Sequence, residues 1–160
     1  MKIFFHKESV SFPLDTSAIN NWIENAVSSL GYSLKNLSFV FCDDEYLKNI
    51  NIKYLGHDYY TDVISFDYST EEGLVGDVFI SIERVKENAK IYSSSFNEEL
   101  FRVIIHGVLH LCGYKDKTEE EKRNLSVFNF KLVGIIAVSY THLRAHETRG
   151  KLVCRLLLEK

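Results

Sequence analysis

The apolar positions of this chain of 160 residues switch repeatedly between the period of a strand and the period of a helix. Residues 3–6 read as a short strand. Ile19, Trp22, Ile23, Val27 and Leu30 then recur at helical spacing, with Asp15 or Thr16 placed to cap the helix and Gly31 to stop it. Residues 37–42 predict a second strand. Asp43 and Asp44 open a helix that carries Tyr46, Leu47, Ile50 and Tyr54, and Gly56 breaks it. Residues 62–68 and 74–82 are rich in β-branched and aromatic side chains, and the polar turn 69–73 between them predicts a hairpin. A helix over 83–92 and a loop over 93–95 follow. Asn97 is then expected to cap a helix that is apolar nearly all round, through Leu100, Phe101, Val103, Ile104, Ile105, Val108, Leu109 and Leu111. Such a helix is buried. Thr118-x-x-Glu121 has the pattern of a capping box for one more helix. The order predicts a single α+β domain, a small mixed sheet packed against helices, with the apolar helix buried against the sheet.

That buried helix also carries the chemistry. It contains His106-Gly107-Val108-Leu109-His110, and Asp116 follows six residues later. Residues four apart on a helix lie roughly 40° apart around its axis, so both imidazoles can reach one ion. Gly113 ends the helix, and the returning chain carries Asp116 back towards the pair. Two nitrogens and one carboxylate oxygen leave one position of a tetrahedral zinc ion open, the arrangement of a catalytic rather than a structural site. A His-x3-His pair alone also arises by chance on amphipathic helices; the glycine turn and the Asp beyond it strengthen the metal reading. Gly107 stands where a metallopeptidase of the His-Glu type carries its general base, which disfavours peptide hydrolysis.

His106-Gly-x-Leu-His110-Leu-x-Gly-Tyr-x-Asp116 resembles the signature of the YbeY family, bacterial metal-dependent endoribonucleases acting on ribosomal RNA. Upstream blocks are similar in the same order: residues 51–66, Gly76-Asp77-Val78-Phe79-Ile80-Ser81, Glu83-Arg84-Val85 and Asn88-Ala89. The likeness covers about residues 2–123. It implies a zinc-dependent endoribonuclease specific for single strands, holding one ion on His106, His110 and Asp116. It further implies a role in maturing the 3′ end of small-subunit ribosomal RNA and in ribosome quality control, with that RNA, the small subunit and its proteins as partners. Three departures stand out. Asp116 replaces the third histidine usual in the family, adding a negative charge that makes metal-coordinated water less acidic. Leu55 occupies a position where many members have an Arg associated with RNA cleavage. Residues 126–136 lack the Met-Arg and later Glu usual there. A ribosome-assembly factor with a structural zinc is the alternative from another class, and a hydrolase of small esters or amides is a third reading.

Other residues carry open alternatives. His57 lies in the loop matched to the family's substrate region and is a candidate phosphate contact or proton donor, or a solvated loop histidine. Asp62 and Asp77 either orient the metal-binding histidines or serve turns. Tyr59 and Tyr60 are candidates for stacking on single-stranded bases. Thr61 and Ser65 line a cleft or reflect strand propensity. Arg102 is expected to form a surface salt bridge with Glu98 or Glu99, and Cys112 to pack as an apolar residue rather than a fourth ligand.

Residues 137–160 resemble the translation of a sequencing-library adapter. The expected domain is therefore 1–136, and His142-x3-His146 is assigned no ligand role. This changes the charge argument. The whole chain has 19 Lys and Arg against 22 Asp and Glu, but residues 137–160 hold five of the basic and two of the acidic ones. The remaining 14 basic and 20 acidic residues carry a formal charge of −6, a poor overall signature for a nucleic-acid binder. RNA contact must come from a local patch and from the metal. Cys42 and Cys112 follow no disulfide or metal-ligand pattern, and no run approaches the roughly 18 apolar residues of a membrane span, so a soluble cytoplasmic protein is expected.

Overall fold

In the computed structural model, which describes residues 2–143, four strands form one sheet. They are β1 (Lys2–Lys7), β2 (Leu34–Cys42), β3 (Val63–Asp67) and β4 (Leu74–Ser81), in the order β1-β2-β4-β3. β1 pairs with β2 and β2 with β4 in parallel, whereas β3 and β4 form the expected antiparallel hairpin. Parallel pairing requires crossovers, and α1 (Thr16–Ser29) supplies the one between β1 and β2. Asp15 caps α1 by accepting from the Ala18 amide at 3.1 Å. The α+β domain with a small mixed sheet is thus observed.

The sheet's two faces differ. Leu37, Phe39, Phe41, Val78 and Ile80 point into the main core, where they meet Ile19, Ile23 and Val27 of α1 and Val103, Ile104 and Val108 of α4 (Phe96–Leu111). Leu132, Val133 and Ile136 of α5 (Glu119–Leu143) complete that core, and Trp22 donates from Nε1 to the Leu132 carbonyl at 2.7 Å. The other face carries a smaller cluster of Cys42, Leu47 and Ile64, covered by α2 (Asp44–Ile50).

Three local expectations are corrected. α4 begins at Phe96 and is capped by Ser95 rather than Asn97: Ser95 Oγ accepts from the Glu98 amide at 3.1 Å and Glu98 Oε1 accepts from the Ser95 amide at 3.3 Å. This reciprocal pair satisfies two helix-end donors, the Ser95 and Glu98 amides. β2 begins at Leu34, because its polar start still pairs with β4 across a bulge. The helix holding Tyr54 is not continuous. After Ile50 it widens into a π-helical turn, Asn51–Leu55, before Gly56 ends it at φ +68°. Asn51 is buried in that turn and donates to the Tyr59 carbonyl at 3.1 Å, tying the following loop back onto it. α3 (Ile82–Ile91) and the Thr118–Glu121 capping box form as expected.

Candidate metal centre and cleft

α4 lies on the sheet at close range because a glycine stands at each of two contacts, Gly107 on the helix and Gly76 on β4. A Cβ on Gly107 would stand 2.6 Å from Val78 Cγ1, and a Cβ on Gly76 would stand 2.8 Å from Leu111 Cδ2. Ser65 Oγ, on β3, donates to the Gly107 carbonyl at 3.0 Å and pins the helix at the residue next to His106. α4 ends at Leu111, and Gly113 at φ +93° reverses the chain, with its amide bonded to the His110 carbonyl and that of Tyr114 to the Leu109 carbonyl.

The reversal brings Asp116 back over the helix. Its Oδ2 lies 3.6 Å from His110 Nε2 and 3.9 Å from His106 Nε2, and the two Nε2 atoms are 3.0 Å apart. Among the described residues these three form a group whose donor atoms all lie within 4.8 Å of one another. Donors about 2.0–2.2 Å from a tetrahedral zinc stand about 3.3 Å from each other, so the spacing fits one ion after small movements. The burial is graded: the side chains of His106, His110 and Asp116 are 20, 28 and 48% exposed. The histidines are held inside while the carboxylate is reached from solvent. Burial, then the positive charges of His110 and Arg102, push His106 down to about 4, with Asp62 and Asp116 opposing. Its imidazole is therefore neutral at pH 7, the form that binds a metal.

A second observation supports the fit. Asn129 of α5, itself buried, places Nδ2 3.1 Å from His106 Nδ1, while its Oδ1 is buried without a hydrogen-bond partner. Nδ1 of His106 is thereby occupied from behind and Nε2 is the nitrogen that faces His110 and Asp116. Asn129 was not found in the sequence, although it had a signal. It is a polar residue on the face of α5 that otherwise buries Leu125, Leu132, Val133 and Ile136.

The group opens onto a cleft of about 360 Å3 walled by the π-helical turn, the loop after it and β3. Leu55, His57, Tyr59, Asp62 and Ser65 contribute to its lining. His57 therefore sits on the wall, not within the His-His-Asp group. Its ring stacks on Tyr59 with centroids 5.2 Å apart, and its Nδ1 lies 3.0 Å from the Tyr59 hydroxyl. Tyr60 is engaged elsewhere: its hydroxyl donates to Glu45 and its ring lies under Lys48 Nζ at 4.8 Å.

Asp62 and Asp77 separate. Asp62 Oδ2 accepts from Arg102 Nη2 at 3.3 Å and from Asn88 Nδ2 at 3.4 Å, beside the cleft. Asp77 stands between Gly76 and Val78, the two residues that meet α4, so strand alternation turns it to the opposite face of the sheet. It cannot orient the histidines. Arg102 pairs with Glu99 at 2.6 Å as expected, but not wholly at the surface: Glu99 is only 1% exposed, while Arg102 is half-buried and bridges α4 to Asp62. Helix α4 is surrounded on nearly all sides, which leaves no open face for that carboxylate. Cys112 is buried and its thiol is pushed up to about 12 by that burial, consistent with packing rather than ligation. His146 and the rest of 144–160 lie outside the described residues.

A family model described as Endoribonuclease YbeY matches residues 3–134. A protein named Endoribonuclease YbeY from Christiangramia forsetii is 57% identical over 102 residues, 64% of this chain and 71% of that protein. Another of the same name, from Cytophaga hutchinsonii, is 49% identical over 122 residues, 75% of this chain and 85% of its own. The solution structure of a Thermotoga maritima protein shares the fold, with a TM-score of 0.64 over 91% of this chain and 97% of the other at 22% identity.

Proposed function

We propose, on the premise that this chain belongs to the YbeY endoribonuclease family, that it cleaves single-stranded RNA in the cleft of His106, His110 and Asp116, with one zinc ion as cofactor. The substrate proposed is ribosomal RNA, at the 3′ end of the small-subunit species during maturation and quality control. The working partners are then the small subunit and its proteins in the cytoplasm. No helix among the described residues is long and apolar enough to cross a membrane. The observation that carries the reading is the convergence of three donors at the mouth of an open cleft, 3.0–3.9 Å apart.

His106 Nε2, His110 Nε2 and an Asp116 oxygen would hold the ion. When bound, zinc supplies Lewis acidity towards a phosphodiester oxygen and makes water a nucleophile near neutral pH. The chain's own residues do the rest. Ser65 and the Gly107 contact hold α4, and with it both imidazoles, against the sheet. The Asp116 carboxylate offsets part of the cation's charge. Tyr59 engages His57 Nδ1, which leaves Nε2 as the ring nitrogen available to contact a phosphate or pass a proton. Tyr59, 54% exposed, offers a flat face beside the cleft for an unpaired base.

The domain proposed for this activity is 1–136, with 137–160 outside it. Cleavage of single-stranded ribosomal RNA by the zinc-loaded chain tests the reading. Chelation and His110→Ala should each abolish cleavage while circular dichroism stays unchanged. Cleavage that survives both would refute a metal-dependent nuclease at this site.

A further inference from the structure

We infer that Asn129 is a positioning residue for the metal centre: its side-chain amide fixes the proton of His106 on Nδ1 and so presents Nε2 as a ligand. This rests on the reading of His106 as a ligand and extends it to a residue on α5.

The hydrogen bonds run in one chain. Asn129 Nδ2 approaches His106 Nδ1 at 3.1 Å, and His106 Nε2 approaches His110 Nε2 at 3.0 Å. In this direction the amide donates to Nδ1, and the imidazole proton sits on Nε2 between the two rings. An ion shared by both Nε2 atoms needs a lone pair on each. The His106 proton must then sit on Nδ1 and requires an acceptor. Among the described residues the polar partner of Nδ1 is Asn129, whose Oδ1 is buried and without a hydrogen-bond partner. A half-turn of the amide about its last torsion exchanges Nδ2 for Oδ1 with almost no change in shape. It gives the Nδ1 proton its acceptor and gives the orphaned oxygen a donor. One rotation pairs both of these groups and carries the amide nitrogen to the place the oxygen held.

The residue type matters. An amide can donate to Nδ1 or accept from it, and so fits both tautomers of the ring. A carboxylate accepts only, and an aliphatic side chain does neither. α5 reaches the site through this hydrogen bond, which couples the packing of Leu132, Val133 and Ile136 in the core to the orientation of the His106 ring.

The test is zinc affinity of the full chain, measured by competition with a chromophoric chelator, for the parent, Asn129→Leu, Asn129→Asp and His106→Ala. Asn129→Leu should bind zinc roughly 10- to 100-fold more weakly, whereas Asn129→Asp should stay within a few-fold of the parent. Urea unfolding of the metal-free variants separates a lost contact from a lost fold, and Asn129→Ala takes the place of Asn129→Leu if the latter does not fold. In nitrogen-15 NMR of the parent, the Asn129 side-chain amide should shift on zinc loading. Parental affinity in folded Asn129→Leu or Asn129→Ala, an equal loss in Asn129→Asp, or an unmoved amide resonance overturns the inference. If His106→Ala retains full affinity, the ligand assignment beneath it falls instead.

Discussion

Gly107 lies against Val78 so closely that a Cβ at position 107 would come within 2.6 Å of Val78 Cγ1. The residue beside the first histidine is therefore where the ligand helix touches the sheet. Overpacking of a filled core typically costs roughly 1–3 kcal/mol. Gly107→Ala should lose stability in that range in urea denaturation and should also weaken zinc binding, since α4 must lift or tilt. Gly134→Ala is the control. No neighbour lies within 4 Å of a Cβ there, so the helix should be unchanged or gain up to about 1 kcal/mol. Equal effects at the two positions would contradict the close-packing account.

Arg102 makes a second prediction. It neutralises Glu99, which is 1% exposed, and holds Asp62 at the cleft wall. Arg102→Met keeps the length of the side chain and removes the charge, leaving a buried carboxylate without its cation. Such losses run to about 3 kcal/mol. The loss should shrink in the double variant with Glu99→Gln, as a double-mutant cycle would measure.

His106 gives the metal-free protein a pH dependence. Its pKa is lowered by burial from 6.5 to about 4, so between those values the unfolded chain binds a proton that the folded one does not. Stability is complete above pH 6.5 and falls as pH drops towards 4. The full effect is on the order of 3 kcal/mol. His106→Gln should flatten this part of the urea-midpoint profile. Zinc affinity should decline as pH falls through about 4, where protons begin to compete for the folded ring. A midpoint that rises on acidification from 6.5 to 4 would show that the assigned burial is wrong.

A chain ending after Ile136 should fold and bind zinc as the full chain does. Leu132, Val133 and Ile136 are already in the core, and the Trp22 bond to the Leu132 carbonyl lies upstream of the cut. Thermal unfolding and metal content check this. Loss of cooperative unfolding would place part of 137–160 in the domain.

What could be read from the residues was what depends on neighbours in sequence. His106 and His110 share a helix face by spacing, and Gly113 turns the chain over three residues to Asp116, so their convergence needs no knowledge of the sheet. The buried helix and the β3–β4 hairpin were legible for the same reason. Contacts made across the fold were not. Asn129 reaches His106 only because α5 packs over α4. The register of β4, which turns Asp77 away and leaves Asp62 at the cleft, is a property of strand pairing. The internal position of Glu99 needed the helix to be surrounded. The cap at Ser95 is a different case, since Ser-x-x-Glu stood in the sequence over 95–98 and competed with Asn97 two residues on. The π-helical turn had no local signal beyond a polar Asn51 at a position that proves buried.

The most direct measurement is a crystal structure of the zinc-loaded chain with anomalous data at the zinc edge. It should show one ion about 2.1 Å from His106 Nε2, His110 Nε2 and an Asp116 oxygen, with its remaining position facing the cleft of His57 and Tyr59. Asp116 outside bonding distance, or a fourth protein side chain closing the coordination sphere, would contradict a catalytic centre built from these three residues.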